Sequence, residues 1–122
     1  MNKYCILYKL FRGKIMKLMN DVKMINETIE NNSFVLGYFT TTSCNVCKDL
    51  LPKVEKILER FPEIVGVKGE ADLEKKIAGE FSVFAVPTII LFIEGKETFR
   101  YARNVGIEEL KEKIERYYNM FY

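Results

Sequence analysis

The 122-residue chain has no histidine and no tryptophan, and only 3 prolines and 3 cysteines. Without histidine, Ser–His and Cys–His nucleophile pairs and imidazole metal ligands are excluded. Three cysteines are too few for a disulfide-stapled scaffold. Their odd number fits a reducing compartment, so a cytoplasmic location is expected. No apolar run approaches the roughly 20 residues of a membrane-spanning helix, and no membrane association is expected. Basic charge is scarce beyond the start. Residues 1–19 hold Lys3, Lys9, Arg12, Lys14 and Lys17 with no acid, leaving 14 basic against 17 acidic groups over residues 20–122. Binding to a nucleic-acid backbone wants a clustered basic face, so no nucleic acid is expected as a partner. What remains is an ordinary globular composition, 48% hydrophobic and 30% charged. Its length suits one domain of the usual size, about 100–200 residues, with a core that needs no staples.

Residues 1–14 read as an upstream extension. Tyr4–Phe11 is apolar but interrupted by Lys9, and no small-residue cleavage site follows, so a signal peptide is not expected. A short strand is predicted at Ile15–Met19. Asn20-Asp21 offers a helix N-cap with an acid in the first turn, and Val22, Ile25 and Ile29 at helical spacing predict a helix over 21–31. After the stop cluster Asn31-Asn32-Ser33, the apolar run Phe34–Phe39 predicts a central strand covered on both faces. The hydroxyl-rich loop 40–43 leads to Cys44-Asn45-Val46-Cys47. Leu50, Leu51, Val54, Ile57, Leu58 and Phe61 then mark a long helix, kinked at Pro52 and ended by Pro62. A strand at Ile64–Val67 and a short helix marked by Asp72, Leu73, Ile77 and Phe81 follow. Thr88–Ile93 and Glu97–Tyr101 read as strands joined by the tight turn Glu94-Gly95-Lys96. Ile107, Leu110, Ile114 and Tyr117 or Tyr118 mark a last amphipathic helix, with Glu108–Glu115 and Lys111–Arg116 on its solvated face. Tyr117-Tyr118 and Phe121-Tyr122 read as helix-end packing ahead of a docking patch. The order β-α-β-α-β-α-β-β-α predicts an α/β fold, a mostly parallel sheet with helices on both faces and an antiparallel hairpin at one side.

The strongest chemical signal is Cys44-x-x-Cys47 directly after a strand and loop, at the start of a helix. Unpaired N–H groups and the helix dipole stabilise an anion there, so a thiolate at Cys44 has a lowered pKa and is a better nucleophile. Cys47, one turn further in, is more buried and suited to attack a mixed disulfide on Cys44. Two other readings compete. The thiols are neighbours by chance, or they supply half of a tetrahedral thiolate metal site. The latter needs carboxylates or a second chain, because Cys5 is the only other cysteine and reads as a bystander.

Ser43-Cys44-Asn45-Val46-Cys47-Lys48, Pro52 inside the following helix, and Ala85-Val86-Pro87-Thr88 entering a strand together resemble the thioredoxin family over about residues 15–120. The resemblance implies a thioredoxin-like fold over 15–122, a mixed five-stranded sheet with helices on both faces. It implies a thiol–disulfide oxidoreductase of the protein-disulfide reductase type, with Cys44 attacking and Cys47 resolving. No bound cofactor or metal is needed. The implied partners are protein disulfides as substrates, and thioredoxin reductase or a low-molecular-weight thiol as electron donor; a monomer is expected. Pro87 is expected to be cis, with Val86 offering its backbone to an extended substrate.

Several positions depart from the family's pattern. Ser43 stands beside the site where thioredoxins usually have Trp, and Asn45-Val46 stands for Gly-Pro. Losing that proline frees an N–H for the Cys44 thiolate, which pushes the couple towards oxidising. Tyr38 replaces the family's buried Asp, and a phenol of ordinary pKa about 10 is a poor base at neutral pH. Lys68 matches a lysine beneath the site that modulates the thiols. Arg103 or Asn104 falls where the family has a glycine in its substrate groove. Tyr38 and the missing Trp keep open an alternative: a non-catalytic thioredoxin-like binding or redox-sensing module docking partners at its Pro87 groove. A thiolate metal carrier is the third reading.

Overall fold

The computed structural model describes residues 15–122; the extension at 1–14 and Cys5 lie outside the described residues. In chain order the elements are β1 (Met16–Leu18), α1 (Val22–Asn31), β2 (Phe34–Thr40), α2 (Asn45–Leu58), β3 (Val65–Glu70), α3 (Lys76–Phe81), β4 (Thr88–Ile93), β5 (Lys96–Ala102) and α4 (Ile107–Phe121). One five-stranded sheet has the order β1-β3-β2-β4-β5. β1, β3 and β2 run parallel, β4 is antiparallel to β2, and β5 is antiparallel to β4. The mixed sheet and its element order are those expected.

β2 is the middle strand and all seven of its residues are buried. Its side chains alternate between two cores, as the period of a strand requires. Phe34, Leu36 and Tyr38 join Val54, Ile57 and Leu58 of α2 and Leu110 and Ile114 of α4 on one face. Val35 and Phe39 join Ile25 and Ile29 of α1 and Ile77 and Phe81 of α3 on the other. An apolar run with no polar alternation therefore marks a strand with a core on each side.

Four local expectations are corrected. Asp21 is itself the N-cap of α1, its carboxylate accepting the Met24 N–H at 3.1 Å, so no acid stands in the first turn. β3 runs on to Glu70, because Lys68-Gly69-Glu70 pair with Tyr38-Phe39-Thr40 although two of the three are charged. The short third helix begins only at Lys76. Asp72 and Leu73 belong to turns closed by the N–H groups of Leu73 and Glu74 on the Glu70 carbonyl, and Leu73 is exposed. The hairpin turn is two residues, Glu94 and Gly95, at φ 51° and 80°. This double left-handed step matches the twist of paired strands and brings Lys96 into β5. At the far end of α4, Tyr118, Phe121 and Tyr122 pack their rings around Phe34, and Tyr118 hydrogen-bonds Glu63. The helix-end packing expected for these aromatics is thus present.

Candidate active site

β2 delivers the chain to the end of the sheet, and a tight loop turns it into α2. The Cys44 N–H donates to the Thr41 carbonyl at 3.3 Å, which closes this loop. Cys44 then takes the N-cap position of α2, in extended backbone with φ −82° and ψ 101°. Its Sγ accepts the Cys47 N–H at 3.2 Å. A capping oxygen normally fills this role; here a sulfur fills it, at the positive end of the helix dipole. Cys44 and Cys47 are joined in a disulfide, with Cα atoms 5.3 Å apart. The two sulfurs are not equivalent. Cys44 is half-buried, whereas Cys47 is 2% exposed and sits in the core between the sheet and α2. Ser43, Asn45 and Val46 are exposed around the more accessible sulfur.

A residue that sequence reasoning missed holds this loop. Asp72 accepts the Thr42 N–H at 3.1 Å and also bonds the Thr42 hydroxyl. The hydroxyl bond, helped by backbone N–H groups, holds the Asp72 carboxyl below its ordinary range. Thirty residues separate the pair, and no short-range motif announces it. The signal available was only that Asp72 follows the strand paired with β2.

The second wall comes from the start of β4. Phe39 of β2 pairs with Thr88, so Pro87 enters the sheet beside the strand end from which the cysteine loop departs. The Val86–Pro87 bond is cis. Pro87 is buried and Val86 half-buried. The Pro87 carbonyl accepts the Arg103 N–H at 2.8 Å. Arg103 adopts φ 71°, the left-handed region that favours glycine. The Arg103 side chain is exposed. Phe84, three residues before the proline, is 88% exposed.

Tyr38 lies behind the cysteines, fully buried. Its hydroxyl donates to the Cys47 carbonyl at 2.6 Å. Burial raises its pKa far above that of a free phenol, so it stays protonated. Its hydrogen bond supports the Cys47 backbone. Lys68 pairs in register with Tyr38, is half-buried, and lines a cavity of about 100 Å³ together with Tyr38, Cys47, Lys48 and Glu70. Among the described residues no three Cys, Asp or Glu side chains group as a metal site, and no helix is long and apolar enough to cross a membrane.

A mixed five-stranded sheet, a Cys-x-x-Cys disulfide opening the helix after its middle strand, and a cis-proline entering the neighbouring strand define the thioredoxin class of proteins. The sequence model of the thioredoxin family matches residues 14–116, and the chain belongs to that family. The thioredoxin-like protein YdfQ of Bacillus subtilis is 36% identical over 108 residues, covering 88% of this chain and 96% of that protein. Thioredoxin H8 of Arabidopsis thaliana is 28% identical over 107 residues, covering 87% and 72%. Among solved structures, a mutant thioredoxin from Halobacterium salinarum aligns with a TM-score of 0.76 at 25% identity, covering 84% of this chain and 89% of that one. Fasciola hepatica thioredoxin aligns at 0.75 and 28% identity, covering 83% and 98%. The Cys44–Cys47 couple is that of a thiol–disulfide oxidoreductase.

Proposed function

We propose that the protein reduces disulfide bonds in other proteins, with residues 15–122 as its working domain and 1–14 as an extension. The Cys44 thiolate attacks a substrate sulfur, forming a mixed disulfide and releasing the other substrate sulfur as a thiolate that takes a proton from water. The Cys47 thiolate then attacks Cys44 Sγ. The intramolecular disulfide forms, the second substrate sulfur leaves, and two electrons have passed to the substrate. The observation that carries this reading is the inequality of the two sulfurs: one caps a helix and is within reach of solvent, the other is buried and bonded to it. An extended substrate strand lies along Val86 and Pro87, with Ser43 at the rim, and Lys68 modulates the thiols from below. Thioredoxin reductase or a low-molecular-weight thiol restores the dithiol. The protein acts as a monomer in the cytoplasm and requires no bound cofactor.

Insulin reduction by dithiothreitol tests this directly. Wild type accelerates it, Cys44→Ser falls to background, and Cys47→Ser accumulates mixed disulfides with substrate. Equal rates for wild type and Cys44→Ser contradict the reading. Tyr38, a phenol where the family has an acid, favours the second reading of a non-catalytic binding or redox-sensing module. Background rates for wild type, with partner binding retained in Cys44→Ser, are what that reading predicts.

A further inference from the structure

A buried resolving thiol needs somewhere to send its proton. A free cysteine titrates near 8.5, and burial disfavours the thiolate further. Cys47 is 2% exposed, and the hydroxyl nearest its backbone, Tyr38, is itself a donor. The cavity of about 100 Å³ against Cys47 is walled by Tyr38, Thr40, Lys48, Lys68 and Glu70, among others. A space of this size has room for water, and the polar groups on its wall can be bridged by it. Of the wall groups, an ammonium only donates, the Tyr38 hydroxyl is already committed to the Cys47 carbonyl, and a carboxylate accepts. Glu70 is therefore the base among these wall residues.

Its placement is built into the fold. Glu70 ends β3 in register with Thr40, and Lys68 is in register with Tyr38, so these side chains lie on the α2 side of the sheet. Glu70 Oε1 accepts from Asn20 Nδ2 at 3.0 Å, and Asn20 Oδ1 accepts the Glu70 N–H at 2.8 Å. This reciprocal pair holds the carboxylate at the cavity, and Oε2 takes no hydrogen bond from the described residues. The charged groups around the cavity are Lys48 from α2, Lys68 from β3, and Asp72, which clamps the wall residue Thr42. Both ammonium groups are opposite in charge to a carboxylate at position 70.

We propose that Glu70 accepts the Cys47 proton through cavity water during resolution, replacing the acid absent at position 38. The proposal rests on the disulfide-reductase reading. The Cys47 S–H bond breaks and its proton passes by water to the Glu70 carboxylate. The Cys47 thiolate forms the bond to Cys44 Sγ as the Cys44–substrate bond breaks. The substrate thiolate takes a proton from water, and Glu70 returns its proton to solvent.

Reduced protein mixed with a dithiobis-nitrobenzoate probe separates the steps in a stopped-flow spectrometer. Attack by Cys44 releases the first coloured thiolate, and resolution by Cys47 releases the second. Glu70→Gln keeps the shape and the Asn20 contact with the backbone. It is expected to leave the first phase unchanged and slow the second about tenfold at neutral pH, less than the largest effects of direct general bases because water intervenes. The pH midpoint of the second phase moves upward. Glu70→Asp, which retains a carboxylate, recovers part of the rate. A second phase in Glu70→Gln that coincides with wild type across pH, or a Glu70→Asp defect as large as that of Glu70→Gln, overturns the proposal. Neither result touches the reductase reading, which fails instead when Cys44→Ser reduces insulin as well as wild type.

Discussion

Tyr38 is a buried phenol whose polar end is given over to holding backbone. Its hydroxyl is committed to the Cys47 carbonyl, and burial keeps it protonated. Tyr38→Phe removes that hydrogen bond and little else. A net hydrogen bond of this kind is worth about 1 kcal/mol. Urea unfolding of the reduced protein is expected to show a loss of that order, with insulin reduction retained. A large loss of activity at unchanged stability would show that the phenol does more than hold the backbone. The sequence made the substitution of the acid visible, but not the consequence. The hydrogen bond to Cys47 depends on a contact between a strand and a helix nine residues on, which no local pattern encodes.

Between elements, the cysteine loop is tied to the turn after β3 by Asp72 and Thr42. The folded Asp72 carboxyl titrates below its unfolded value. Its contribution to stability is therefore present above the unfolded pKa, about 3.9, and is lost as pH falls through the folded one. The melting temperature of Asp72→Ala is expected to lie below that of wild type at neutral pH, with the gap closing on acidification. A gap independent of pH contradicts the ionic clamp. The elements themselves differ in how plainly the sequence announces them. The central strand, the long helix through Pro52, β4 and the last helix follow from apolar spacing, although the long helix stops at Leu58, short of the Pro62 expected to end it, and β5 buries only Phe99. The end of β3 escapes that reading. Lys68 and Glu70 are polar, and what makes them strand is the ladder to β2. Leu73 misleads in the opposite direction, an exposed leucine that happens to fall at helical spacing with Ile77 and Phe81.

Across the whole molecule, the cysteine spacing and Val86-Pro87 make the candidate site legible, whereas its supporting cast of Asp72, Asn20 and Glu70 comes from separate places in the chain. Only the sheet, with β3 lying between β1 and β2, assembles them. The same sheet creates the inequality of the thiols. It ends β2 where α2 must begin, leaving Cys44 at the helix cap, and it packs Cys47 against the core. Alkylation of the reduced protein across pH, with each cysteine quantified by mass spectrometry, tests this most directly. Cys44 is expected to react with a pH midpoint below the roughly 8.5 of a free thiol, while Cys47 in the same molecules stays protected. A Cys44 midpoint at or above the free value, or faster modification of Cys47, would contradict the account.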